Sequence, residues 1–272
     1  MRERTVLTTG ANSGIGLATV LEVGRRGFRS VGTVRSQAKA RAVRQAAAAA
    51  GVTVETALLD VTNAEQCRRV IDRFRPWGLV SNAGSPMVAA IEDVEDDDAQ
   101  ALLETMVVAP MRLARLALPH MRREGSGRII NMSSIYGRIS TPLNGWYQGA
   151  KHALEALSDA LRMELASSGI AVVLIEPGGF RTELWDDAER QMAERRHSNY
   201  ERAYQRTMQG IRLSMPLLAS PAGVAGVIAR ALTVRNPRPR YLVGYDAQLA
   251  NLVDRAVPTR IKDRVMRLTL GL

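Results

Sequence analysis

Short runs of aliphatic and β-branched residues alternate along this chain with longer stretches whose apolar positions recur every three or four residues. The short runs predict strands at 5–9, 30–34, 52–59, 79–81, 128–132 and 170–175. The longer stretches predict helices at 16–26, after the second strand through an alanine run to 50, at 64–74, at 97–122 and at 146–167. Strand and helix taking turns in this way read as a parallel sheet covered on both faces. After Pro177 the alternation stops. Residues 180–216 are charged, contain several methionines and read as a helical insertion. A helix at 222–234 and a strand at 241–243 then close the sheet. No linker or repeat interrupts the pattern, so 1–272 reads as one α/β domain, a doubly wound parallel sheet of about seven strands with helices on both faces.

The last segment, 246–272, is amphipathic and is split by Pro258. Ile261, Val265, Leu268 and Leu272 share one face at helical spacing, with Arg260, Lys262, Arg264 and Arg267 around them. This stripe is expected to pack on the domain or on a partner subunit, ahead of contact with a membrane surface.

Composition narrows the picture. With 272 residues and 46% hydrophobic content the chain can bury a core, and with only 4% aromatics that core must be largely aliphatic. The formal charge is +10, but the arginines are dispersed and lysine occurs only at 39, 151 and 262. A surface that attracts an anionic cofactor or substrate fits better than nucleic-acid binding. Cys67 is the sole cysteine, and His120, His152 and His197 are scattered, so no metal-ligand cluster is visible. There is no secretory h-region and no apolar run near the roughly 20 residues of a membrane span, so the expected location is cytoplasmic.

The candidate chemistry sits in two places. Thr9-Gly10-Ala11-Asn12-Ser13-Gly14-Ile15-Gly16 follows the first strand and opens the first helix. Gly10 suits a tight turn, Gly14 a close approach to a pyrophosphate, and Gly16 close packing of helix on strand. The helix amino terminus adds free N–H groups, with Asn12 and Ser13 as side-chain donors. This is a Rossmann-type dinucleotide cradle. At the end of the second strand, Gly32-Thr33-Val34-Arg35-Ser36 carries no acidic residue to bind a ribose 2′-hydroxyl. Arg35, with Ser36 and Lys39 assisting, suits a 2′-phosphate, so NADP(H) is expected over NAD(H). The second place is Tyr147-Gln148-Gly149-Ala150-Lys151, with Ser134 upstream. Tyrosine and lysine one helical turn apart share a face. The lysine charge, together with that of an oxidised nicotinamide, is expected to lower the tyrosine pKa so that Tyr147 serves as acid or base, with Ser134 polarising a substrate oxygen.

These motifs together resemble the short-chain dehydrogenase/reductases, and the resemblance spans nearly the whole chain. It implies catalytic roles for Ser134, Tyr147 and Lys151, with Lys151 also holding the nicotinamide ribose. It assigns Asp60-Val61 to the adenine, Asn82-Ala83-Gly84 to stabilising the central sheet, and Pro177-Gly178-Gly179-Phe180-Arg181-Thr182 to the nicotinamide carboxamide. The tail and that last loop look most like reductases of steroid- or retinoid-type ketones. The two long helices would form a homodimer or homotetramer face. One departure stands out: alignment through Pro110 and Leu118-Pro119-His120-Met121 puts Met106 where the family commonly has a catalytic asparagine. A weakly catalytic, NADP-binding sensor or regulatory protein is therefore the alternative reading.

A substrate is expected between the loop after the fifth strand and the insertion. Tyr136, Asn144 and Trp185 are its leading contacts, with Met87, Leu143, Trp146, Leu184 and Met192 as further apolar lining. The lining suits a hydrophobic ketone or secondary alcohol. Arg181 and the arginines near Arg195 read as solvated charge.

Overall fold

The structure is a computed structural model and describes residues 4–182, 184–195 and 197–272. Seven parallel strands form one sheet in the order β3-β2-β1-β4-β5-β6-β7. They are β1 (Thr5–Thr8), β2 (Arg29–Val34), β3 (Val54–Leu58), β4 (Gly78–Ser81), β5 (Gly127–Met132), β6 (Ile170–Pro177) and β7 (Arg240–Val243). Alternate side chains go to opposite faces, and both faces are buried. Val6, Val80, Ile130 and Val173 pack towards helices α1 (Gly14–Arg25) and α9 (Pro221–Thr233). Their neighbours Leu7, Leu79, Ile129 and Val172 pack the other way, against α3 (Ala64–Phe74) and α5 (Ala109–Arg123). Small side chains make the layers fit: a Cβ on Gly32 of β2 would stand 2.8 Å from the Ala11 methyl. The helix α2 (Gln37–Ala49) starts at Ser36, whose Oγ accepts the Lys39 amide at 3.3 Å. Helix α3 starts at Asn63, whose Oδ1 accepts the Gln66 amide at 2.9 Å.

The predicted helix at 97–122 is not one regular helix. It consists of α4 (Asp96–Leu103), a π-helical turn (Glu104–Val108) and α5. The cause is Pro110, which has no N–H to give the Met106 carbonyl and whose ring would collide with it in an α-helix. The predicted third strand, 52–59, is shorter, because Val52 leaves the ladder to pack beside α2. Helix α6 (Gly145–Glu164) follows the loop after β5. The insertion is a pair of helices, α7 (Leu184–Glu194) and α8 (Glu201–Ser214), with their own small core around Ala188, Met192 and Tyr204.

The tail forms α10 (Tyr245–Ala256) and α11 (Thr259–Leu270), broken at Pro258. The expectation that its apolar stripe packs on the domain is not met. Ile261, Val265, Leu268 and Leu272 are exposed. The opposite side of α11 makes the contact: Leu270 joins the insertion core, and Arg206 of α8 donates to the carbonyls of Leu268 and Thr269. Among the described residues no helix is long and apolar enough to cross a membrane.

Candidate active site

In the order 3-2-1-4-5-6-7 the chain reverses direction across the sheet between β1 and β4, and a crevice opens there beyond the strand ends. The loop after β1 and the segment after β4 meet in it. Thr9 Oγ1 accepts the amides of Asn82 at 3.0 Å and Ala83 at 2.9 Å. Asn82 Nδ2 donates back to the carbonyls of Thr9 at 3.0 Å and Gly10 at 3.2 Å. Asn82 and Ala83 thus hold the glycine loop in shape, while Gly84 lies against Met106. Gly10 has φ +65°, and a Cβ on it would stand 2.9 Å from Ala83 Cα. A Cβ on Gly16 would overlap the Gly10 carbonyl and come within 2.6 Å of Asn82 Nδ2. Ser13, the N-cap of α1, makes no side-chain cap bond, and the first turn holds no acidic residue. The Ser13 hydroxyl oxygen accepts from Asn12 Nδ2 at 3.2 Å. An uncapped helix start behind a bare backbone loop fits the phosphates of a dinucleotide. Ile15 turns away into the core beside Phe180.

Arg35 is exposed at the end of β2. Ser36 caps α2 as an acceptor, which leaves its hydroxyl hydrogen to donate. Asp60, at the end of the adjacent β3, lies close enough for the Arg35 charge to stabilise its carboxylate. Two bonds from Thr62, from its hydroxyl at 2.7 Å and its amide at 3.0 Å, pull the Asp60 pKa down more strongly. Val61 is buried, its carbonyl taken by Arg112.

The catalytic candidates come together at the end of β5. Ser134 starts a short 3-10 turn (Ile135–Gly137), its Oγ accepting the Tyr136 amide at 3.2 Å. Tyr147 lies in the first turn of α6 and hydrogen-bonds Ser134. Tyr136 meets its ring edge-on, with centroids 6.2 Å apart. Lys151, one turn on, places Nζ 5.5 Å from the Tyr147 ring centroid and donates to the Met132 carbonyl at 2.6 Å. The expected lowering of the Tyr147 pKa is not found in the protein alone. Burial pushes it up to about 12 against the opposing Ser134 bond. Burial also pulls Lys151 down to about 8, with Glu155 on the next turn opposing. For both groups desolvation is the largest cause.

The loop after β6 closes the site. Thr182 reaches the glycine loop, its side chain 3.1 Å from where a Gly14 Cβ would be. Pro177 ends β6, and the Gly178 amide donates to the Val243 carbonyl. The Phe180 side chain is buried in the core with Val224 and Ile228, so only its backbone faces the loop. Its carbonyl accepts the Trp185 indole N–H at 2.8 Å, which sets that ring over Gly179. Asn144 precedes α6 and bridges to Ala89. Leu143 and Met192 are buried in the insertion core, where they pack rather than line open space. The Leu184 side chain lies outside the described residues.

Two features had no visible signal in the sequence. Asp246, on the first turn of α10, accepts the Gly179 amide at 2.6 Å. A Cβ on Gly178 or Gly244 would overlap its carboxylate. The insertion is also clasped to the segment after β4. Tyr204 donates to Asp93 at 2.6 Å and accepts the Ala90 amide at 2.7 Å, and Ser198 donates to the same Asp93 oxygen.

A profile of short chain dehydrogenases matches residues 4–193. The chain belongs to the short-chain dehydrogenase family. Retinol dehydrogenase 7 of Mus musculus is 31% identical over 98% of this chain and 88% of its own length. A solved short-chain dehydrogenase from Streptomyces avermitilis superposes with a TM-score of 0.78 at 29% identity, covering 98% of this chain and 96% of that one. Another, from Sphingobium yanoikuyae in complex with NADPH, gives 0.73 at 25% identity and covers 96% of both chains.

Met106 stands where the resemblance led to the expectation of an asparagine. It sits in the π-helical turn, in a buried cluster with Leu102, Val107 and Ala150 against which Tyr147 and Trp146 pack. Its side chain offers thioether packing to that cluster and no hydrogen-bond donor.

Proposed function

We propose that this short-chain dehydrogenase is an NADP(H)-dependent oxidoreductase acting on a hydrophobic ketone or the matching secondary alcohol. The observation that carries the proposal is the meeting of Ser134, Tyr147 and Lys151 at the end of β5, at the same end of the parallel sheet as the glycine loop. Gly10, Asn12, Ser13, Gly14 and Gly16 would hold the pyrophosphate. Arg35 would hold a 2′-phosphate, Asp60 and Val61 the adenine, Lys151 the nicotinamide ribose, and Pro177, Gly178 and Thr182 the carboxamide. When bound, the cofactor supplies or accepts the hydride. The Ser134 hydroxyl holds the substrate oxygen, and the Tyr147 hydroxyl delivers its proton there in reduction or takes it in oxidation. Lys151 keeps a positive charge next to that phenol.

The apolar faces of Tyr136 and Trp185 favour a hydrophobic substrate. The NADPH-bound relative supports NADP(H), and Arg35 supports it over NAD(H). Val108, Leu157 and Met163, exposed on the long helices, suit a homo-oligomeric face. The test is Tyr147→Phe, assayed by NADPH fluorescence titration and by NADPH consumption with a panel of hydrophobic ketones. NADPH should bind as before while turnover falls by about 100-fold or more, the scale of general acid catalysis. Unchanged turnover would reject Tyr147 as the acid. NADPH binding by the unsubstituted protein without turnover on any ketone would favour the sensor reading, which the apolar Met106 supports.

A further inference from the structure

More than half of the exposed large apolar side chains among the described residues lie in the tail. On α10, Tyr245 (91% exposed), Leu249 and Leu252 (63%) follow at helical spacing, and Ala247 on the opposite side is buried. On α11, Ile261, Val265 and Leu268 (71%) repeat the pattern. Both helices therefore use their poorer apolar side to join the domain and present their richer side outwards. Arg206 and Leu270 fasten the end of α11, and Asp246 fastens the start of α10, so the stripe is held out by a fixed frame.

Charge decides what the stripe fits. Helix α11 carries Arg260, Lys262, Arg264 and Arg267 against the single carboxylate Asp263. Lys262 is paired with Asp254 across the Pro258 break at 2.6 Å, whereas the three arginines are exposed. A second copy laid against this face would bring two basic helices together, on molecules that each carry a formal charge of +10. A bilayer with anionic headgroups offers the complement: acyl chains under the stripe and negative charge beside the arginines.

We infer that α10 and α11 form a peripheral docking surface for an anionic lipid bilayer. Helix α10 begins beside the Gly178–Gly179 loop. A bilayer under it therefore lies at the edge of the active site, where a lipid-soluble ketone would be drawn. That consequence rests on the proposed function; the docking surface does not, and its test uses no catalysis.

The full chain is sedimented with phosphatidylcholine vesicles, with and without phosphatidylserine, at low and high salt. Binding is expected only with phosphatidylserine and should be lost at high salt. Ile261→Gln/Val265→Gln/Leu268→Gln should abolish it. Arg260→Gln/Arg264→Gln/Arg267→Gln should weaken it roughly 100-fold, taking about 1 kcal/mol per cation near an anionic surface. Both variants alter exposed positions, and unchanged circular dichroism and NADPH titration would show that they fold. No sedimentation with phosphatidylserine vesicles would overturn the inference, as would equal binding to phosphatidylcholine alone. So would sedimentation velocity showing a dimer that the apolar triple variant dissociates, because a second copy would then be the occupant.

Discussion

Arg35 and Lys151 are the two residues whose charge the proposed chemistry depends on, and each gives a measurable consequence. The Arg35 guanidinium stands exposed at the end of β2, with the carboxylate of Asp60 within electrostatic range. A charge-assisted bond to a 2′-phosphate contributes about 1.5–3 kcal/mol. Arg35→Ala is therefore expected to weaken NADPH binding roughly 10- to 100-fold and leave NADH nearly unchanged, as fluorescence titration would show. Equal losses for both cofactors would mean that Arg35 serves the fold and not the phosphate. Lys151 is pulled down to about 8 by burial. Its cation is complete well below that pH and is lost as pH rises through it. The kcat/KM for NADPH reports ionisations of the free enzyme. In the reductive direction it should fall above about pH 8 in a single step. Tyr147, pushed up to about 12, stays protonated across the assay range and adds no second step. Lys151→Arg should remove the step, because a guanidinium keeps its proton to pH 12 and beyond. A step that survives in Lys151→Arg would belong to another group.

At the scale of elements, legibility followed sequence distance. Gly10, Gly14 and Gly16 lie within one turn of loop and helix, and Tyr147 and Lys151 within one turn of α6, so residue type and spacing made them candidates together. Strand positions were also readable, because burial on both faces leaves continuous apolar runs. The π-helical turn at 104–108 was missed although Pro110 marks it, since proline signals a break without saying how the chain absorbs it. Arg75 is similar. It ends α3 with φ 42°, a left-handed conformation that glycine takes without cost, and it is exposed. Arg75→Gly is expected to stabilise the protein by about 0.5–1 kcal/mol, because relief at the cap exceeds the added freedom of the unfolded chain. Chemical denaturation would show a raised midpoint at unchanged slope. A lowered midpoint would mean that the stacking of helix on sheet needs the arginine stem.

Across the whole molecule, the site is completed by contacts that no local pattern could reveal. Asp246 reaches Gly179 over 67 positions of sequence, and Tyr204 reaches Asp93 over 111. The second contact ties the insertion to the segment after β4, on what is proposed as the substrate side. The Tyr204 hydroxyl is buried and serves two partners, accepting from the Ala90 amide and donating to Asp93, which Ser198 also holds. Gln191 adds a parallel pair of bonds, accepting from the Val88 amide and donating to the Pro86 carbonyl. Tyr204→Phe keeps the ring and leaves the Ala90 N–H without a partner, a loss of about 1–3 kcal/mol. The cost falls on the docking of α7 and α8 and not on the sheet, whose core does not include Tyr204. Amide exchange across α8 should therefore quicken roughly 10- to 100-fold while exchange in β4 and β5 stays the same. The KM for a hydrophobic ketone should rise, and the affinity for NADPH, held on the other side of the crevice, should not. If exchange quickened equally in the sheet, Tyr204 would be supporting the global fold. If neither exchange nor KM moved, the clasp would have no part in shaping the substrate side, and Gln191 would be holding the insertion without it.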